Sequence, residues 1–321
     1  MSRESAVPPP VTAVLDASSR WLPTGLGRVE QLLREQTEGY GELLAADAGA
    51  TLAAGGKRLR PLLVLICGGE GGGEDAIRGA TAIELIHMAT LVHDDVLDAA
   101  PLRRGVPTVA ATAGRARAVA TGDLLFSRAF ALLAAHEQVR AIELLSRASV
   151  ALARGELAQR HDAYDASISE RRYLERCELK TGALFECACL LGADEPELGR
   201  FGTEIGLAFQ LLDDVLDVSG PAERTGKARG TDLLDGTVTL PLILAREADP
   251  ELARADLRSL DAERAEALCD RIAATGALDR VRSRALEMVA AAKRRLEAMS
   301  LDAERRELLA LVADGVVERY A

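Results

Sequence analysis

The sequence predicts an all-α protein built as a single helical bundle, and three observations carry that prediction. Ala, Leu, Arg and Glu dominate almost every stretch after about Gly25, apolar residues recur there at spacings of three and four, and no segment alternates in the manner of a strand. Self-similarity at a period of about 20 to 50 residues is missing, which excludes a helical solenoid. Taken in order, residues 1–24 read as a mobile Pro-rich leader and 25–321 as one domain without a shift in composition. Helices are expected over Ala76–Asp98, Arg115–Ala135, Arg140–Arg160, Glu170–Leu191 and Gly199–Val218. The breaks fall at Gly68–Gly73, Gly105–Pro107, Ser167–Ser169 and Gly220–Gly236, where glycine, proline and serine gather. Several of these helices are apolar round much of their circumference, as in the middle of a large bundle, so their polar residues are informative.

With 321 residues, 48% of them apolar, the chain can bury a sizeable core without disulfides and is too hydrophobic for intrinsic disorder. Its formal net charge of −11 and the lack of a basic patch argue against nucleic-acid binding, which requires cations to replace phosphate counterions. The N-terminal residues lack the apolar run of a signal peptide, and stretches such as Pro61–Cys67 are too short to span a bilayer. Cys67, Cys177, Cys187, Cys189 and Cys269 show no paired-ligand spacing and read as reduced thiols of a cytoplasmic protein.

Two acidic clusters stand out: Asp94, Asp95 and Asp98 in LVHDDVLD, and Asp213, Asp214 and Asp217 in FQLLDDVLD. Positions i and i+4 of a helix project within about 40° of one another, so Asp94 shares a face with Asp98 and Asp213 with Asp217. Both clusters fall at helix C-terminal ends, where the helix dipole disfavours bare carboxylates and calls for a positive partner. Hard oxygen donors on rigid helices, without His or Cys among them, suit Mg²⁺, which keeps waters and takes phosphate oxygens as further ligands. The pair of clusters therefore predicts a site for metal and diphosphate.

The candidate cations are equally distinctive. Only four lysines occur, at 57, 180, 227 and 293, against a large excess of arginine. Three sit in short motifs: Lys57 in GGKRLRP, Lys180 in LKTG and Lys227 in a Gly-rich loop. Lysine retained in so arginine-rich a chain points to places where a compact charge is wanted. Arg103 and Arg104 in PLRRGVPT could grip phosphate oxygens in bidentate fashion.

GGKRLRP, His87 ahead of DDVLD, the following RRG, LKTG, FQLLDDVLD, the GK loop and TLP resemble, in order and spacing, the motifs of the trans-isoprenyl (polyprenyl) diphosphate synthase family. The resemblance covers the chain from about Gly25. It implies an isoprenoid-synthase helical bundle with a central cavity, usually a homodimer, that joins isopentenyl diphosphate head to tail to an allylic diphosphate with three Mg²⁺. It further implies Asp94, Asp98 and Asp213 as direct metal ligands, with Asp95, Asp214 and Asp217 holding metal waters or orienting those ligands. Lys57, Arg60, His87 and Arg104 correspond to the isopentenyl diphosphate site. Arg103, Lys180 and Lys227 correspond to the clamp on the allylic diphosphate. Thr181 and Gln210 would line the reacting end of the allylic chain, and Phe209 would pack near the isopentenyl group. Ionisation of the allylic carbon–oxygen bond, attack by the isopentenyl double bond and loss of a proton complete the implied reaction, with Asp94, Asp98, Asp213, Lys180 and Arg103 as the catalytic set.

One position departs from the pattern. Many members carry a second lysine in GKxTLP, where this chain reads DGTVTLP with Thr237 at that place. For product length, Ala89 lies five residues before Asp94, about 7.5 Å along the helix, followed by Thr90 and preceded by Ile86. Short-chain members commonly place an aromatic floor there. Its lack predicts a product of C20 or longer, with transient membrane contact for the longest chains. His93 is expected to pack between helices, and His136, His161 and the HDAYD stretch to be solvated. Glu156 and Gln159 in GELAQ match a family pattern without a settled role. A terpene cyclase or head-to-head synthase on the same fold is the alternative, as is a non-catalytic regulatory subunit. The first has no need of a second diphosphate site, and the second should have lost carboxylates that are all present here.

Overall fold

The structure, a computed structural model, describes residues 9–18, 21–220 and 229–318. Lys227 lies outside the described residues. Helices dominate, and the predicted elements are found within three residues of their expected ends. The chain divides into two compact units, which its even composition does not announce: residues 1–149, 185–199 and 299–312 form the first, and residues 150–184, 200–298 and 313–321 the second.

In the first unit, α1 (Pro9–Ala17) and α2 (Trp21–Thr37) begin inside the stretch set apart as a leader. Burial of Val14 and Leu22 explains the difference, since both anchor the chain to the core. They are followed by α3 (Glu42–Ala53), α4 (Leu59–Gly68) and α5 (Gly73–Leu97). The 25-residue α5 is about 37 Å long and is buried on nearly every side between Ala76 and Ala89. It packs on α2, α4 and α7 (Arg115–Ala134), with α6 (Val109–Ala113) between in sequence. At the other end of α4, Arg305 donates to the carbonyls of Ile66 and Cys67, adding to the Gly69 amide that caps the helix on Leu65 O and Ile66 O. The helix α8 (Val139–His161) opens in this unit.

One element was not expected. Leu102–Arg103 (β1) and Val106–Pro107 (β2) pair antiparallel, Arg103 opposite Val106. Two residues alone close this hairpin, and both Arg104 (φ +54°) and Gly105 (φ +75°) are left-handed, the requirement of a type I′ turn. Strands of two residues are too short to show alternation in a sequence. Thr108 fastens the hairpin: its hydroxyl donates to Ala100 O at 2.7 Å and accepts from Ala111 N, capping α6.

The second unit holds the end of α8, then α9 (Glu170–Cys177), a π-helical turn (Glu178–Gly182) and the start of α10 (Ala183–Gly192). The predicted single helix over 170–191 is thus interrupted by one wide turn. α11 (Pro196–Ser219) is followed by α12 (Thr231–Leu234), α13 (Leu240–Ala248), α14 (Ala262–Ala274) and α15 (Ala277–Ala298), while α16 (Ala303–Glu318) begins in the first unit and ends in the second. α13 packs on α14 and α15. HDAYD is not wholly solvated, which corrects the sequence reading. Asp162 is buried and accepts from Arg172 at 3.0 Å, with Arg176 at 3.8 Å. His136 and His161 are exposed as expected.

Candidate functional site

In the first unit, the last turns of α5 present the first acidic cluster. Asp94 is half-buried, Asp98 is exposed at the helix C-cap, and Asp95 is buried. The cation that the helix dipole calls for is supplied to Asp95 by the hairpin: Arg103 Nε donates to Asp95 Oδ1 at 2.7 Å. His93, beside Asp94, packs as expected. Its ring stacks on Phe126 with centroids 5.9 Å apart, and its Nε2 lies 3.2 Å from Val119 O. Gly122 makes room for it, since a Cβ there would sit 2.1 Å from the His93 Nε2.

The loop before α4 and one face of α5 bring the expected isopentenyl diphosphate residues into one neighbourhood. Arg60 lies over the ring of Phe185, 4.8 Å from its centroid, a partner the sequence reading missed. The Arg60 Nε has no hydrogen-bond partner among the described residues, and burial, with Arg104 adding to it against Glu84, pulls its pKa down to about 10. His87 feels burial first and then the guanidiniums of Arg60, Arg104, Arg103 and Arg58. All of them disfavour a positive ring, so it is held well below its ordinary pKa. A cavity of about 50 Å³ is bordered by Arg58, Glu84, His87, Arg103 and Arg104. Lys57 is half-buried in the same loop. Such a gathering of cations is poised to accept a polyanion.

One turn and two turns before the acidic cluster, Thr90 is half-buried, and Ala89 and Ile86 are fully buried. No aromatic residue stands among these three.

In the second unit, the π-helical turn carries Lys180 and Thr181. Lys180 Nζ donates to Glu156 Oε2 at 2.5 Å and to Gln159 Oε1 at 3.2 Å, both from α8. This close approach depends on Gly155, where a Cβ would lie 2.8 Å from the Lys180 backbone nitrogen. Burial tends to raise the Glu156 carboxyl, but Lys180 and Arg160 outweigh it and hold the group below its ordinary pKa. Thr181 donates from its hydroxyl to Gln210 Oε1 at 2.8 Å, and Gln210 Nε2 donates to Asp214 Oδ1 at 2.8 Å. The Tyr173 hydroxyl donates to Asp214 Oδ2 at 2.5 Å. With both oxygens engaged and only 2% of its surface exposed, Asp214 is pushed up to about 8 by burial and by Asp232. On the same helix Asp213 and Phe209 are half-buried. Asp217 accepts from Asp232 N at 3.3 Å, holding the start of α12. Thr237 is half-buried and its amide donates to Asp232 O.

Among the described residues no three His, Cys, Asp or Glu side chains form a ready-made metal cage. The donors nonetheless fit an alkaline-earth ion: Asp94 and Asp98 are hard oxygen ligands on one partly exposed helix face, leaving most of a coordination shell to water and phosphate. Sequence reasoning missed Arg58, Glu84, Phe185 and Tyr173. Only Arg58 had a local signal, standing inside GGKRLRP.

Residues 42–273 match the family model described as polyprenyl synthetase. The chain is 41% identical to the heptaprenyl diphosphate synthase component 2 of Geobacillus stearothermophilus over 241 residues, covering 72% of this chain and 75% of that protein. It is 37% identical to the geranylgeranyl pyrophosphate synthase of Geoglobus acetivorans over 308 residues, covering 91% and 95%. Among solved structures, the polyprenyl synthase from Caulobacter crescentus CB15, complexed with calcium and isoprenyl diphosphate, matches with a TM-score of 0.89 at 35% identity, over 97% of this chain and 98% of that one.

Proposed function

The chain belongs to the trans-isoprenyl (polyprenyl) diphosphate synthase family and is a prenyltransferase, and on that premise we propose that it condenses isopentenyl diphosphate head to tail with an allylic diphosphate to give an all-trans product of C20 or longer. The observation that carries this reading is the gathering of the Arg60 and Arg104 guanidiniums around a His87 ring that they hold neutral, a set of side chains separate from the Asp-rich carboxylates. A cyclase handles one diphosphate and has no use for such a cluster. Two polyanions brought within bonding distance need two sets of cations.

In this reading Lys57, Arg60, His87 and Arg104 bind isopentenyl diphosphate, while Arg103, Lys180 and Lys227 bind the allylic diphosphate. Asp94, Asp98 and Asp213 hold Mg²⁺, three ions in all. Asp95, Asp214 and Asp217 orient those ligands; the bonds from Arg103 to Asp95, and from Tyr173 and Gln210 to Asp214, fit such a role. Mg²⁺, when bound, supplies electrostatic stabilisation of the leaving diphosphate. The allylic carbon–oxygen bond breaks, a carbon–carbon bond forms to the isopentenyl double bond, and the proton lost passes to the released diphosphate. Lys180 must exchange Glu156 and Gln159 for phosphate oxygens during this cycle, and Thr181 and Gln210 flank the reacting end. Phe209 packs near the isopentenyl group. The buried helices exclude water that would quench the cation.

The small side chain of Ala89, with Ile86 and Thr90, supports elongation past C15, and the curated relatives include synthases of several product lengths. Among the described residues no helix is long and apolar enough to cross a membrane, and all five cysteines are free and buried, which supports a cytoplasmic enzyme that meets membranes only through its product. We place it as a homodimer. The name of the Geobacillus protein, a component 2, supports a second reading in which a separate subunit completes the enzyme. Incubation of the purified chain alone with Mg²⁺, isopentenyl diphosphate and each of the C5, C10, C15 and C20 allylic starters decides the matter. Chain growth by C5 units is expected; no incorporation with any starter overturns the reading.

A further inference from the structure

Arg58 adopts a backbone conformation that its side chain does not favour. It is the N-cap of α4 with φ +49° and ψ +32°, a left-handed geometry that a non-glycine residue seldom adopts. Such a conformation persists only where the surroundings fix it. Here two carboxylates do so. Arg58 Nη1 donates to Glu84 Oε1 at 2.9 Å, its Nε donates to Glu30 Oε1, and its Nη2 reaches Glu30 Oε2 at 3.5 Å. The Arg58 side chain is 13% exposed and that of Glu84 only 4%.

These partners deprive Arg58 of the role that its neighbours have. With two buried or half-buried carboxylates on one guanidinium, the trio carries a net negative charge and offers a diphosphate no attraction of its own. One of its anchors, however, comes from an element that presents the isopentenyl diphosphate residues, while Glu30 ties it to α2. Glu84 lies on α5 three residues before His87, on the same helix face. Lys57 directly precedes Arg58, and Arg60 follows two residues later in the first turn of α4. Gly56 is the seat on which the cations meet: a Cβ there would lie 2.8 Å from Arg58 Nη1 and 3.1 Å from Arg104 Nη1. A rigid, planar fork held at both ends is suited to setting register between two helices and a loop.

We propose that the Glu30–Arg58–Glu84 network is the positioning device of the isopentenyl diphosphate subsite, with Arg58 fixing the entry turn of α4 so that Lys57 and Arg60 are held in register with His87 and Arg104. This rests on the reading that those four residues bind isopentenyl diphosphate. Arg58 touches no reacting atom. It acts through the residues on either side of it, and its loss shows in the affinity for one substrate alone.

The test is steady-state kinetics with each substrate titrated while the other saturates. Arg58→Asn keeps a residue that tolerates the left-handed turn and removes the fork. It should raise the KM for isopentenyl diphosphate about tenfold or more, leaving the allylic KM within about twofold and kcat within about threefold. Arg58→Lys, whose ammonium can still pair with one carboxylate, should recover part of the loss. A wild-type KM for isopentenyl diphosphate in Arg58→Asn, or equal rises for both substrates, overturns the proposal. Should Arg58→Asn fail to fold by circular dichroism, Glu30→Gln carries the same test at a carboxyl one-third exposed. There a selective rise supports the network and unchanged constants refute it. A wild-type enzyme that incorporates no isopentenyl units removes the functional reading and this proposal together, whereas an active wild type with an indifferent Arg58 removes this proposal alone.

Discussion

Lys180 and Glu156 form an ion pair of 2.5 Å across two helices of one compact unit, and Gly155, beside Glu156, lets the backbones come close enough to make it. Removing the cation should be costly for one substrate: Lys180→Ala is expected to raise the allylic KM about ten- to a hundredfold, the worth of a charged hydrogen bond of about 1.5–3 kcal/mol. Removing the anion tests the pair itself. Because the folded Glu156 pKa is depressed, the pair contributes stability above the ordinary value of 4.5, and that contribution is lost as pH falls through the folded value. Glu156→Gln should therefore melt below wild type at neutral pH, with the gap closing in acid. A gap that does not depend on pH would contradict the assignment.

His87 acts with the same sign, in a higher pH range. Its folded pKa is lowered by burial and by four arginines, so below the unfolded value of about 6.5 the unfolded chain takes up a proton that the folded one refuses. Stability drains away as pH drops through that range. Melting temperatures of wild type and His87→Gln, compared from about pH 8 to 5.5, should converge or cross toward the acid side, because the glutamine cannot titrate.

Gly122 and His93 are predicted to be strongly coupled. Gly122→Ala places a methyl group where the imidazole stands and should destabilise by about 1–3 kcal/mol in denaturant titrations. His93→Ala vacates that space. In the double variant the cost of the alanine at 122 should largely vanish, giving a non-additive cycle, while simple additivity would mean that the ring moves aside freely.

Ala89→Phe is expected to shorten the longest product, read by chromatography of the chain-length distribution. The site is fully buried, so the phenylalanine will also cost about 1–3 kcal/mol in overpacking, and the measurement belongs below the melting range. A folded variant with the wild-type distribution removes Ala89 from the floor.

The helices were legible because their apolar spacing runs for several turns, and the acidic motifs because two copies of one rare pattern are hard to overlook. What could not be read is what partners each polar residue takes. Nothing near Arg60 in the chain points to Phe185, and nothing near Asp214 points to Tyr173, because both contacts are made by helices far apart in sequence. Asp162 was misread for the same reason: its arginines belong to the next helix. The π-helical turn escaped notice because periodicity over eleven or more residues averages over a single wide turn.

That wide turn also constrains how the chain can vary in length. A π-bulge amounts to one residue more than a regular helix would use. Deleting one residue between Glu178 and Gly182 would let α9 and α10 fuse into one regular helix with its flanks still in register, so the loss is confined to the widened turn that presents Lys180 and Thr181. One deletion here should therefore be tolerated by the fold better than one in α10, although the segment carries no signature of a loop.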